Sequence, residues 1–309
     1  MGRIFGVSAG DEAVGTPNHT RRPKISSLAF DSPASEYARV VEFDGARIVV
    51  TGAAGGIGAA LARRFHHLGA QVVLADLHDA SVVRIASELN TIRPSTTLGV
   101  AADVGTENGN RDLVEASRAF MGGIDLFFAN AGVGTGGFVE ATSEDEWNLA
   151  FDVNIHAHRW AAKYLLPEWL ERGSGYFCST ASAAGILSQI GSAPYSVTKH
   201  AAVAFAEWMS ISYGDRGIKV SCLCPQGVNT NMLNGGDLGE NGATNVVRAA
   251  GEVLEPDYVA EVVAEAIVAE RFLILPHPQV ADFEQRKATD RDRWLAGMRK
   301  LQSRVFGTL

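Results

Sequence analysis

The chain has 309 residues, 46% of them hydrophobic and 20% charged, with a formal net charge of −8. That composition supports a full core, and the acidic balance argues against a general nucleic-acid or anionic-membrane binder, because phosphates repel an acidic surface. Glycine is abundant at 33 residues but follows no triplet period, which excludes collagen.

Residues 1–43 mix Gly, Pro, Ser and charges of both signs, and are predicted to be an extension, partly disordered or lying on the surface. Their five acidic residues argue against a transit peptide. The pattern changes at Ala46. Residues 46–50 read as a strand. Residues 56–69 read as a helix, with apolar spacing through Ile57, Leu61, Phe65 and Leu68 and a glycine at its end. A strand at 71–76, a polar helix at 79–90, a strand at 97–103, a helix at 107–121 and a strand at 124–132 follow. A long helix from Ser143 to Arg172 leads to strand 175–180, helix 194–215 and strand 219–225. After a polar, Gly-rich segment at 234–242 come helix 256–270, strand 272–275 and a charged tail with an amphipathic stretch around Trp294 and Met298.

Seven apolar strands separated by helices imply buried parallel strands covered on both faces. The fold class is therefore α/β: a single doubly wound parallel sheet of about seven strands, Rossmann-type. One domain is predicted over 44–276, with 277–309 as a helical packing arm. No apolar stretch approaches the roughly 20 residues of a membrane span. Cys178, Cys222 and Cys224 cannot form a disulfide framework. Cys222 and Cys224 fall on one face of a strand and read as small buried hydrophobes, with no metal site expected. Free thiols point to a reducing compartment, the cytoplasm.

Between the first strand and the first helix lies Thr51-Gly52-Ala53-Ala54-Gly55-Gly56-Ile57-Gly58. A glycine turn placed there lets the backbone approach a pyrophosphate at the positive end of the helix. Asp76 ends the second strand, 24 residues beyond Gly52, where an acid accepts hydrogen bonds from the adenosine ribose. A carboxylate there repels a 2′-phosphate, and no Arg or Lys at Ala53, Ala54, Gly55 or Leu77 offsets it. The expected cofactor is NAD, with NADP disfavoured.

Tyr195 and Lys199, spaced i, i+4, share one helical face. A tyrosine is a poor base with a reference pKa of about 10, and bringing it to about 7 requires roughly 4 kcal/mol, which a close ammonium helps supply. Ser182 lies 13 residues before Tyr195, just past the fifth strand, and Asn130 stands in the same way after the fourth. Asn154 sits among apolar neighbours in the long helix.

Taken together, residues 46 to about 276 resemble the compact type of the short-chain dehydrogenase/reductase family. The matching motifs are T-G-x-x-x-G-I-G at Thr51–Gly58, N-A-G at Asn130–Gly132, Asn154, Ser182 and Y-x-x-x-K at Tyr195–Lys199, in family order and spacing. The resemblance implies that Tyr195 exchanges the substrate proton. It implies that Lys199 binds the nicotinamide ribose and lowers the Tyr195 pKa, that Ser182 hydrogen-bonds the substrate oxygen, and that Asn154 holds a relay water. It further implies cofactor contacts from Thr51, Gly52, Gly56, Ile57, Gly58 and Asp76, from Asp103 and Val104 at the adenine, and from Asn130, Ala131 and Gly132. In the stretch resembling P-G-x-V-x-T at Pro225–Thr230, Val228 and Thr230 would meet the nicotinamide amide. Gln226 departs from the family's glycine; its amide either narrows or polarises the substrate pocket or points away.

His156, His158 and His200 read as packing or surface residues, and Trp147, Trp160, Trp169 and Trp208 as core or interface. Met232, Leu233 and Leu238 imply a partly apolar substrate. The tail after Pro276, with His277, reads as a packing arm at an oligomer interface or as a lid onto a neighbouring subunit. The expected function is NAD-dependent interconversion of a secondary alcohol and its ketone, in a homodimer or homotetramer. The alternatives are a non-catalytic NAD(H)-binding sensor or scaffold on the same fold, and enoyl reduction or dehydration.

Overall fold

Strand boundaries follow the apolar runs closely. The computed structural model describes residues 42–234, 246–248 and 251–307. The sheet comprises β1 (Arg47–Thr51), β2 (Gln71–Asp76), β3 (Thr97–Ala101), β4 (Leu126–Ala129), β5 (Gly175–Thr180), β6 (Ile218–Leu223) and β7 (Leu273–Ile274). All pairs are parallel, in the order β3-β2-β1-β4-β5-β6-β7. The helices are α1 (Gly56–His67), α2 (Asp79–Ile92), α3 (Glu107–Met121), α4 (Glu144–Phe151), α5 (Ala157–Arg172), α6 (Ala184–Leu187), α7 (Ala193–Tyr213), α8 (Asn231–Asn234), α9 (Pro256–Val268), α10 (Gln279–Thr289) and α11 (Arg291–Phe306).

Because side chains alternate along a strand, each strand feeds two cores. Ile48, Val50, Leu74 and Phe128 face α1, α2 and α9 through Leu61, Phe65, Ile85 and Ile267. Val49, Val73, Phe127 and Phe177 face α3, α5 and α7 through Leu113, Leu165, Trp169 and Met209. The Trp169 indole is fully buried and donates to the Ile124 carbonyl at 2.8 Å. A two-pronged Arg47–Asp125 pair, at 2.6 and 2.8 Å, ties β1 to the entry of β4.

Local signals explain several boundaries. Thr106 caps α3 by accepting from the Gly109 N–H, and Ser143 with Glu146 forms a capping box at α4. The sequence predicts one continuous helix over 143–172. The structure instead divides it with a π turn at Asp152–His156, where the Ala157 N–H reaches back to the Asp152 carbonyl.

Residues 1–41 of the expected extension lie outside the described residues, as do 235–245, which hold Leu238 and most of the Gly-rich segment. Phe43, placed in the extension from sequence, is buried and stacks on Phe65 at 5.2 Å. Residues 279–306 form α10 and α11. The Lys287 ammonium of α10 donates to the Ile186 carbonyl of α6 and lies 3.3 Å from His200 Nε2 on α7. Among the described residues no helix is long and apolar enough to cross a membrane. The three cysteines are buried free thiols, and Cys222 Sγ lies 3.8 Å from Cys224 Sγ, as a shared strand face requires.

Candidate functional site

The strand order reverses direction between β1 and β4, which opens a crevice beyond their carboxyl ends. The loop after β1 enters it at Gly52, whose φ of +66° suits glycine. A Cβ at Gly58 would stand 2.1 Å from the Gly52 carbonyl oxygen, so only glycine lets this loop close onto α1. Asp76 closes the same end: one carboxylate oxygen accepts the Ala54 N–H at 3.0 Å and the other the His78 N–H at 3.2 Å.

Thr51 and Asn130 lock the two sides of the crevice together. The Thr51 hydroxyl accepts the backbone N–H groups of Asn130 and Ala131, both at 3.0 Å. The Asn130 amide donates to the Thr51 carbonyl at 2.9 Å and accepts from the Thr180 hydroxyl at 3.1 Å. Neighbouring Gly132 keeps the wall thin: a Cβ there would lie 3.1 Å from both Asn154 Oδ1 and Lys199 Nζ.

Helix α7 begins with Pro194 in its first turn, so Tyr195 and Lys199 sit in its first two turns, aimed inward. Tyr195 is 8% exposed and Lys199 2%. The Lys199 ammonium stands 5.6 Å from the Tyr195 ring centre and donates to the Thr180 carbonyl at 3.0 Å. The Ser182 hydroxyl accepts the Ala184 N–H at 3.1 Å and reaches the Pro225 carbonyl at 3.4 Å. Burial pushes the Tyr195 hydroxyl above its ordinary value, while a hydrogen bond with Ser182 opposes that rise. Burial also lowers Lys199 to about 8. The resemblance implies that Lys199 lowers the Tyr195 pKa; in the structure the net shift of Tyr195 is upward, because desolvation of the phenolate dominates.

Asn154 lies in the π turn and is fully buried. Its two N–H groups go to the Val133 carbonyl and the Thr198 hydroxyl, each at 3.0 Å, and its oxygen accepts the Val133 N–H at 2.9 Å. Only the second lone pair of that oxygen remains for a relay water. Thr198 passes the restraint on by donating to the Pro194 carbonyl at 2.8 Å. The side chain therefore fastens α7 to the loop after β4.

These groups converge on one groove of about 330 Å³. Gly52, Gly56, Ile57, Gly58 and Asp76 form one end; Asn130, Ala131, Gly132, Lys199, Tyr195 and Ser182 form the middle. Thr230 stands beside Gly56, where a Cβ would lie 3.0 Å from its methyl carbon, and Val228, Met232, Leu233, Gln189, Gln226 and Val247 line the groove as well. Thr51 and Asn154 brace it from behind and are not in its lining. Asp103 and Val104 are not in the lining either. Asp103 holds the start of α3, its carboxylate accepting the Gly105 N–H at 3.0 Å and its carbonyl the Thr106 hydroxyl at 3.0 Å. Sequence reading missed Thr180, Thr198, Gln189 and Val247. The i+3 position of Thr198 relative to Tyr195 was the one available signal; the others come from contacts distant along the chain.

His158, expected as a packing residue, is buried against β5, with Nδ1 2.8 Å from the Ser179 hydroxyl. Its Nε2 has no partner among the described residues, and desolvation, aided by Lys199, lowers its pKa to about 3. His200 contacts the Ser196 carbonyl through Nδ1 at 2.8 Å. Trp208 is 55% exposed, unlike core Trp169.

The profile of the short chain dehydrogenase family matches residues 46–240. The chain is 34% identical over 224 residues to the meso-2,3-butanediol dehydrogenase of Serratia marcescens, covering 72% of this chain and 88% of that one. It is 35% identical over 236 residues to the 1-deoxy-11-beta-hydroxypentalenate dehydrogenase of Streptomyces exfoliatus, covering 73% and 81%. The structure is similar, with a TM-score of 0.74 and 29% identity, to a short chain dehydrogenase/reductase from Burkholderia phymatum solved in complex with NAD, over 82% of this chain and 96% of that one.

Proposed function

The chain belongs to the short-chain dehydrogenase/reductase family, and we propose that it is an NAD-dependent oxidoreductase interconverting a secondary alcohol and its ketone. The observation that carries the reading is that Tyr195, Ser182 and Lys199 line the same groove as the glycine loop and Asp76. The names of the alcohol dehydrogenases it resembles agree with it.

The groove fits a dinucleotide. The tight Gly52–Gly58 approach leaves bare backbone at the α1 N-terminus, which receives a pyrophosphate. Asp76, held by two backbone N–H groups, presents its carboxylate to the ribose hydroxyls and repels a 2′-phosphate. Asn130, Ala131 and Gly132 border the middle of the cofactor, and Val228 and Thr230 meet the nicotinamide end. When bound, the nicotinamide supplies the hydride acceptor or donor.

The chain's own residues handle the proton. Tyr195 gives its hydroxyl proton to the carbonyl oxygen in reduction and takes it back in oxidation. Ser182, which lines the groove with Tyr195, donates to the same oxygen and stabilises the charge that builds there. Lys199 grips the nicotinamide ribose, and its ammonium favours the phenolate over neutral tyrosine. Since burial holds the Tyr195 proton tightly, oxidation accelerates as pH rises toward that raised value and reduction slows. Lys199 loses its charge near pH 8, which limits the gain on the alkaline side.

Exposed Leu149 on α4 and Trp208 and Ile211 on α7 support a homodimer or homotetramer built through those helices. Three free thiols support a reducing compartment, the cytoplasm. The test is a fluorescence titration with NADH and NADPH, then a panel of secondary alcohols with NAD. Tighter NADH binding with turnover is expected. Binding without turnover of any member would favour the sensor reading, and tighter NADPH binding would overturn the role of Asp76.

A further inference from the structure

Gln226 stands where the family pattern has glycine, and it is one of the residues that line the groove, beside Pro225 and Gly227. Three neighbours orient it. Its side-chain carbonyl accepts from Gln279 Nε2 at 3.2 Å, so that end of the amide is held by the C-terminal tail. Its backbone N–H donates to His277 Nδ1 at 3.1 Å, while His277 Nε2 lies 3.2 Å from the Glu252 carbonyl. That pattern requires a neutral imidazole with its proton on Nε2. Burial at 2% exposure lowers the His277 pKa and keeps it neutral. Gly251 completes the seat: a Cβ there would stand 3.0 Å from Gln279 Nε2 and 3.4 Å from Gln226 Oε1.

With its carbonyl committed to Gln279, the Gln226 amide keeps two N–H donors, and they have no partner among the described residues. The Ser182 hydroxyl, which on the dehydrogenase reading holds the reacting oxygen, reaches the carbonyl of Pro225, the residue before Gln226, at 3.4 Å. Gln226 is half-buried, and a donor with no protein partner there is open to a substrate acceptor, so a substrate that offers one gains a hydrogen bond over one that does not. Among the described residues the groove holds no cation besides Lys199, so a carboxylate or phosphate has no partner beside Gln226. Met232, Leu233 and Val247 make the remaining wall apolar.

We propose that Gln226 is a specificity-determining residue that hydrogen-bonds a second, neutral oxygen of the substrate, close to the reacting carbon. The substrates are then small diols or hydroxyketones with apolar flanks, in preference to monohydric alcohols. The proposal rests on the dehydrogenase reading of the same groove, and its test separates the two.

Calorimetric titration of the NADH-loaded protein with 2,3-pentanediol and with 2-pentanol measures both affinities where no hydride can move from alcohol to cofactor. Wild type is expected to bind the diol about tenfold more tightly than 2-pentanol. The preference should shrink below about threefold in Gln226→Leu, which keeps the bulk and loses the amide, and in Gln279→Leu, which loses only the anchor. A wild-type ratio near one, or a ratio unchanged in both variants, overturns the proposal. So does a loss of NADH affinity in Gln226→Leu larger than the loss of diol preference, because the amide then serves the cofactor. If Gln226→Leu fails to fold, Gln279→Leu decides alone. Turnover assays with NAD and the same alcohols stand apart: a preserved binding ratio with no turnover would keep Gln226 in its role and defeat the dehydrogenase reading.

Discussion

On the β1–β2 side of the groove, polar contacts are made by backbone: a glycine loop pressed to within a Cβ of itself, and a carboxylate accepting two N–H groups. On the β5–β6 side they are made by buried side chains, and burial drives Tyr195, Lys199, His158 and Cys178 away from their charged forms. The first side has little titratable chemistry and tolerates almost no added volume. The second has ample chemistry, held by hydrogen bonds that reach across the fold. A backbone cradle suits a cofactor that must bind the same way each time. A desolvated cluster suits proton transfer, because the low dielectric strengthens each contact with the reacting oxygen.

The largest expected effect breaks the β5–β6 side alone. Tyr195→Phe should lower turnover about 10³-fold while NADH affinity, measured by fluorescence titration, stays nearly intact. Activity within tenfold of wild type would remove Tyr195 from proton exchange. The converse is Gly58→Ala, which puts a methyl group against the Gly52 carbonyl oxygen. Overpacking of about 2 kcal/mol should weaken NADH binding roughly thirtyfold, read in the same titration, with a lowered melting temperature. An unchanged NADH affinity would show that the loop can move aside.

Asp76→Ala should shift the NADPH-to-NADH affinity ratio about tenfold toward NADPH, a change of roughly 1.4 kcal/mol. No shift would deny Asp76 its place at the ribose. The smallest effect tests burial. His158 is neutral in the fold, with a pKa near 3, against about 6.5 unfolded, so the unfolded chain takes the proton first. The stability this contributes is present above about pH 6.5 and is lost as pH falls toward 3, by about 1 kcal/mol over the first unit. Melting curves at pH 6.5 and 5.5 should show that loss, and His158→Gln, which cannot titrate there, should flatten it. An equal acid loss in both proteins would place the sensitivity elsewhere.

Much of the first side was legible from the chain alone. Thr51–Gly58 and Asp76 are local features: a strand end, a turn and a strand end, at spacings that a βαβ unit imposes. The seven strands were legible because buried parallel strands are apolar on both faces. Less of the second side could be read. The motif residues Ser182, Tyr195 and Lys199 were visible, but not the Thr180 carbonyl that holds Lys199, nor the route from Asn154 through Thr198 to Pro194. The long helix gave no signal for its π turn, because apolar periodicity changes little over one inserted residue.

The sequence by itself determined the sheet, the glycine loop at the start of α1, the acid that ends β2 and the presence of Ser182, Tyr195 and Lys199 at their spacing, since each depends on residue type and short spacing. Tertiary structure decided the rest. It made Asn154 a clasp, and it seated Gln226 against the tail, its side-chain carbonyl on Gln279 and its backbone N–H on His277, 53 and 51 residues further along the chain. Contacts between segments that far apart depend on how the tail packs back onto the sheet, and no local pattern of residues encodes that.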